Sequence, residues 1–124
     1  MEPVLLRIVI GALLVVHGVA HVDITRVWGA RSTASSWVLG EAGAVGTALP
    51  LLALAGFSLA GLALFVGLDV WRPLAVVAAC ASLATIALYW DVQMVLGVAV
   101  NVGILIALLW VRWPEQGTLS GSGT

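Results

Sequence analysis

The chain has 124 residues, of which 62% are hydrophobic and 9% are charged, whereas soluble domains average about 45–50% apolar and 25% charged residues. So few charges cannot cover a soluble fold, and the net charge of −1 excludes the basic surface that nucleic acids require. The single cysteine excludes an intrachain disulfide. A chain rich in Ala, Val, Leu and Gly that has no lysine also indicates a bacterial source with a GC-rich genome.

Four apolar segments follow one another along the chain. A membrane-spanning helix needs about 20 mostly apolar residues, and segments of this kind cover residues 4–26, 38–68, 73–90 and 92–111. Arg72-Pro73 separates the second from the third, because proline suits the first turn of a helix and the residue before it avoids helical geometry. We therefore predict an all-α membrane protein, an antiparallel bundle of four transmembrane helices within residues 1–113. Residues 114–124, rich in Gly, Ser and Thr, are predicted to be disordered.

The tryptophans support these boundaries, because indole rings favour the membrane–water interface. All six tryptophans fall at or near the end of a segment: Trp28, Trp37, Trp71, Trp90, Trp110 and Trp113.

The second segment is too long for a straight crossing, about 45 Å as a helix against roughly 30 Å of hydrocarbon. Pro50 removes a backbone hydrogen bond, so we expect a kink there, together with a tilt or an end that extends past the membrane.

Small residues recur at helical spacing and predict the faces on which the helices pack, since membrane helices approach closely where side chains are small. Such positions occur on the first, third and fourth segments. They are Gly11 and Gly18, then Ala75, Ala78, Ala79 and Ser82, then Ala99, Gly103 and Ala107.

Polar residues inside a membrane are costly and are candidates for function. His17 and His21 lie one turn apart on the same face of the first helix, and Glu41 is predicted at a similar depth near the start of the second. Gln93 and Asn101 share a face of the fourth helix. These five residues form the predicted polar site.

The predicted site admits three roles. The histidines can donate hydrogen bonds to carbonyls or to Glu41 and so hold the helices together. They can also bind a substrate or carry protons, because imidazole titrates near neutral pH. A metal is disfavoured, since His17, His21 and Glu41 are the only candidate ligands and the carboxylates of a di-iron bundle are missing. No motif for nucleophilic catalysis, phosphate binding or dinucleotide binding appears, which disfavours an enzyme that acts alone.

The chain resembles the DoxX-like family of small four-helix membrane proteins. The resemblance rests on Leu6-Arg7 with Gly11, on His17-Gly18-Val19-Ala20-His21, on Leu39-Gly40-Glu41, and on Gly67 and Arg72 before the third helix. It implies an association with redox metabolism, in which some relatives work with quinones or sulfur compounds.

Three functions are consistent with these features. The first is an accessory subunit of a membrane redox system whose His/Glu face meets a quinone or another subunit. The second is a small homo-oligomeric transporter or channel coupled to protons, and the third is a purely structural membrane subunit. All three place the chain across a lipid bilayer, in a bacterial cell membrane, with other membrane subunits or further copies of itself as partners.

Overall fold

The computed structural model describes the backbone of residues 2–30, 35–36, 40–41, 44–89, 95–115 and 119, and the side chains of residues 2–21, 48–89, 95–115 and 119. These residues form helices, apart from one antiparallel pair of two-residue strands. The elements in chain order are α1 (Pro3–Ala30), β1 (Ser35–Ser36), β2 (Gly40–Glu41), α2 (Ala44–Phe65), α3 (Trp71–Leu88) and α4 (Val95–Leu105), which continues as a π-helix (Ile106–Val111).

Three of the helices are long and apolar enough to cross a membrane. Their apolar stretches are Pro3–His21, Ala48–Phe65 and Trp71–Leu88, with mean hydropathies of 2.2, 2.1 and 1.6. The fourth apolar stretch, Val95–Val111, is shorter. α1 packs against α2, α2 against α3, and α3 against α4.

The second helix differs from the prediction at both ends. It begins at Ala44 and not near residue 38, because Gly40 and Glu41 pair with Ser35 and Ser36 as strands. It ends at Phe65, where Gly67 has a φ of +76°. The amide of Leu68 donates to the carbonyl of Ala63 and that of Gly67 to the carbonyl of Leu64, which is the Schellman pattern.

This shorter helix removes the excess length, while the kink at Pro50 stays a prediction. Its 22 residues extend about 33 Å, close to the roughly 30 Å of a bilayer core. Pro50 is buried and lies inside the helix, in its second turn, and the helical assignment continues through it.

The core consists mainly of small residues, while large apolar side chains point outward. Gly61 shows how closely the backbones approach: a Cβ added there would lie 2.6 Å from the carbonyl oxygen of Gly11. Val16, Leu96 and Trp110 are 67%, 74% and 87% exposed, an outward apolar surface that suits lipid and not water. The fully buried alanines lie on α2 and α3 and include Ala53, Ala60, Ala75, Ala78 and Ala79.

The predicted packing faces on α1 and α3 are buried, whereas the one on α4 is largely exposed. Gly11, Gly18 and the row from Ala75 to Ser82 are buried, as predicted. Ala99 and Gly103 on α4 are exposed, and among the described residues no atom lies within 4 Å of a Cβ added at Gly103. Ala99 and Gly103 therefore do not form a packing face with the described part of the chain, whereas Ala107 is half-buried.

Two described residues of the C-terminal tail are buried, while the disorder of residues 114–124 stays a prediction. Pro114 is buried, and Leu119 is 7% exposed and belongs to the core cluster. The amide of Leu119 also donates to the carbonyl of Glu115. The apolar leucine is drawn to the core even though the residues around it are polar, and it brings the tail back to the end of the bundle where α1 begins.

The described tryptophans lie near helix ends, as a position at the membrane–water interface requires, but only two of them face outward. Trp110 and Trp113 are exposed, whereas the ring of Trp71 is 3% exposed and packs in the core. The side chains of Trp28, Trp37 and Trp90 lie outside the described residues.

The close approach at Gly61 predicts the effect of added volume. Gly61→Ala should lower the free energy of unfolding by about 1–2 kcal/mol, because overpacking costs about 1–3 kcal/mol and the gain in helix propensity offsets part of it. Gly103→Ala is the matched control and should be neutral or slightly stabilising, since its Cβ meets open space. Thermal unfolding of both variants in detergent measures the difference, and equal stabilities would contradict the packing.

Candidate functional site

The two histidines of α1 stand one above the other inside the helical bundle. Their rings lie 5.4 Å apart between centroids and are nearly perpendicular, at 88°. His21 is buried and His17 is half-buried. The ring of Phe57 on α2 packs edge-on against His17, with centroids 4.7 Å apart, so an apolar face shields one side of the pair.

His21 uses both of its ring nitrogens within the protein. Its Nδ1 lies 3.0 Å from the carbonyl oxygen of His17, one turn earlier in the same helix. Its Nε2 lies 2.8 Å from the hydroxyl of Ser82 on α3. These two hydrogen bonds fix the orientation of the ring and tie α1 to α3.

Asn101 brings the fourth helix into the same network. Its side chain is fully buried, and its Nδ2 donates to the hydroxyl of Ser82 at 2.7 Å. Its Oδ1 lies 3.2 Å from Nε2 of His17. The amide thereby links α4 to both α3 and α1.

The four side chains form a closed ring of hydrogen bonds with one consistent direction. A carbonyl only accepts, so Nδ1 of His21 carries a proton and donates to His17. Nε2 of a neutral His21 then accepts from the Ser82 hydroxyl, whose oxygen accepts in turn from Asn101. The remaining oxygen of Asn101 accepts from Nε2–H of His17, which returns the ring to its starting residue.

The direction of the ring assigns the tautomers of both imidazoles. Neutral His21 carries its proton on Nδ1 and neutral His17 carries it on Nε2. Nδ1 of His17 is the one ring nitrogen of the two histidines that takes no part in the ring. Every other side-chain nitrogen and oxygen of the ring residues has at least one partner in the described part of the bundle, which meets most of the requirement that hydrocarbon imposes on polar groups.

The ring is worth more as a constraint on geometry than as a source of stability. Three of its bonds join different helices, and such bonds in membrane proteins contribute roughly 0.6 kcal/mol each. Opening it would leave donors unsatisfied in an apolar interior, which costs about 1–3 kcal/mol for each group. The ring therefore penalises any shift of α1, α3 or α4 along its axis.

The structure brings together three of the five predicted site residues, and the side chains of the other two lie outside the described residues. His17, His21 and Asn101 meet, as the predicted polar face requires. Gln93 lies outside the described residues. Glu41 lies in β2 and not in the first turn of α2, and its side chain also lies outside the described residues. A contact between His21 and Glu41 stays a prediction.

Ser82 is the site residue that the sequence analysis did not assign. Its spacing on α3 places it in the row of small packing residues, and its burial agrees with that. Its hydroxyl is nevertheless the junction of the ring, where it contacts both His21 and Asn101. The sequence feature that could have identified Ser82 is a hydroxyl on a helix face that otherwise consists of alanines.

The described part of the chain offers few ligands for a metal ion. No group of three His, Cys, Asp or Glu side chains lies together among those described. Both ring nitrogens of His21 are engaged in hydrogen bonds, so a metal there would have to break the ring. The third candidate ligand, Glu41, has no described side chain.

Comparison of the chain with protein-family models, curated proteins and solved structures finds no match. The DoxX-like resemblance therefore stays a prediction.

Proposed function

We propose that the chain is a multi-pass integral membrane subunit that crosses the bilayer four times and serves a structural role, with the hydrogen-bonded ring fixing the register of its helices. The observation that carries this proposal is closure of the ring. Polar groups that serve a substrate or a proton path must offer free donors or acceptors, and among the described residues this ring leaves free only Nδ1 of His17 and the second N–H of Asn101. The resemblance to DoxX-like proteins suggests a quinone-linked redox complex as the setting for such a subunit.

Four crossings are supported by the positions of the two ends. Leu119, beyond α4, lines the same cavity as Arg7, near the start of α1. An even number of crossings returns the chain to the side on which it began. The apolar stretch Val95–Val111 has 17 residues and no charge, which is the lower limit of length for a spanning helix.

A proton-coupled transporter is less well supported, because of Asn101. A proton moving between the histidines through the ring must pass the carboxamide of Asn101. An amide donates through nitrogen and accepts through oxygen, so it would have to turn over for each proton carried. In a buried site with both ends hydrogen-bonded, this turning breaks two bonds of the ring.

The number of crossings can be tested by cysteine accessibility in a Cys80→Ser background. Ser35→Cys and Val92→Cys should react with a membrane-impermeant maleimide from the same side, and Thr124→Cys should react from the other. Thr124→Cys alone is the control for membrane integrity. Reaction of positions 35 and 92 from opposite sides would contradict four crossings.

Proton flux separates the structural subunit from the transporter. Proteoliposomes that carry the wild-type protein and enclose a pH-sensitive dye should leak protons no faster than protein-free liposomes, and Asn101→Leu should behave like the wild type. A protonophore added at the end shows that the dye responds. Flux several-fold above the protein-free rate that disappears in Asn101→Leu would overturn the structural role in favour of the transporter.

A further inference from the structure

A small cavity lies toward the end of the bundle where α1 begins, and none of the ring residues lines it. Arg7 lines it together with Gly67, Asp69, Trp71 and Leu119. Arg7 precedes His17 by ten residues, about 15 Å along α1. The cavity is thus a separate feature, formed by the first helix, the α2–α3 turn and the tail.

The guanidinium of Arg7 is held in this cavity with donors to spare. Its Nε is enclosed, out of reach of solvent, and has no hydrogen-bond partner among the described residues. Nη1 approaches Gly67 so closely that a Cβ added there would lie 2.8 Å from it. Gly67 is therefore needed twice, for its positive φ and for the space that the guanidinium takes. Within the described residues, Arg7 forms no ion pair, although Asp69 lines the same cavity.

The size of the cavity limits what it can hold. Its volume is about 60 Å³, several times the ~10–15 Å³ that one water molecule needs. This leaves room for a compact oxyanion, such as a phosphate group. Guanidinium groups bind such oxyanions through paired hydrogen bonds.

We propose that this cavity binds the phosphate of a phospholipid headgroup through Arg7, with Asp69 at its rim receiving the ammonium group of a phosphoethanolamine. The proposal rests on the proposed position of the chain across the membrane. An arginine beside a carboxylate matches a zwitterion, whose phosphate and ammonium carry the opposite charges. A headgroup with phosphate alone would bring a negative charge to Asp69 and should bind less well.

The position of the cavity favours a lipid over a free phosphate ester. Arg7 lies four residues after the start of α1, about 6 Å along the helix, and exposed Trp110 and Trp113 lie near the end of α4, where aromatic residues mark the interface. Val4, three residues before Arg7, is 56% exposed, and Leu68, directly after Gly67, is 55% exposed. They offer an apolar surface to the acyl chains of a lipid held by its headgroup.

Native mass spectrometry of the detergent-purified full chain tests the site with defined lipids. Titration with phosphatidylethanolamine should show saturable binding of one lipid, tighter than binding of phosphatidylglycerol. Arg7→Gln should weaken it about tenfold or more, because the charge-assisted hydrogen bonds are lost. Arg112→Gln, at an exposed arginine outside the cavity, is the matched control and should bind as the wild type does.

Two further measurements cover the case in which Arg7→Gln does not fold and the case in which the ligand is a soluble phosphate ester. Asp69→Asn changes an exposed turn residue and should abolish the preference for phosphatidylethanolamine over phosphatidylglycerol even if Arg7→Gln does not fold. Free phosphoethanolamine, without acyl chains, should compete only at far higher concentration than the lipid. If it binds as tightly as the lipid does, the ligand is a soluble phosphate ester and the lipid assignment is wrong.

The proposal is overturned if Arg7→Gln binds phosphatidylethanolamine as tightly as the wild type, or if Asp69→Asn keeps the wild-type preference. Alkaline extraction of membranes tests the underlying membrane position independently. A chain released by carbonate would contradict the proposed function, whereas the lipid titration in detergent would still report on the cavity.

Discussion

Hydrocarbon supplies no hydrogen bonds, so each polar atom that a helix carries into it must find its partner inside the protein. The ring of His17, His21, Ser82 and Asn101 meets this requirement with side chains from three helices and one backbone carbonyl. Because each residue both donates and accepts, the positions of α1, α3 and α4 depend on one another. The small residues that let the helices approach then serve to bring these four side chains within reach.

The two polar regions of the bundle differ in how far they are satisfied. In the ring, the hydrogen bonds close on one another, and only Nδ1 of His17 and the second N–H of Asn101 have no partner among the described residues; this favours a structural role over transport or catalysis. At the Arg7 cavity, the guanidinium forms no ion pair among the described residues, the carboxylate of Asp69 lines the same space, and there is room for a compact polar group. The first region needs nothing from outside the chain, whereas the second is built to receive a charged group from its surroundings.

Sequence periodicity predicted the parts that depend on a single helix. It placed His17 and His21 on one face, assigned Asn101 to the same polar site, and found the row of small residues from Ala75 to Ser82. It missed contacts between distant segments: the strand pair that delays α2 to Ala44, and the return of Leu119 to the core from a polar tail. Ser82 escaped because a serine fits a small-residue face whether or not its hydroxyl is used.

The closed ring is tested most directly by the tautomers of its two histidines. The chain contains only two, so ¹⁵N-histidine labelling of the protein in lipid gives two imidazoles, and a His17→Gln variant assigns them. At a pH where both are neutral, His21 should carry its proton on Nδ1 and His17 on Nε2. A neutral His21 protonated on Nε2, with a bare Nδ1, could not donate to the His17 carbonyl and would contradict the ring.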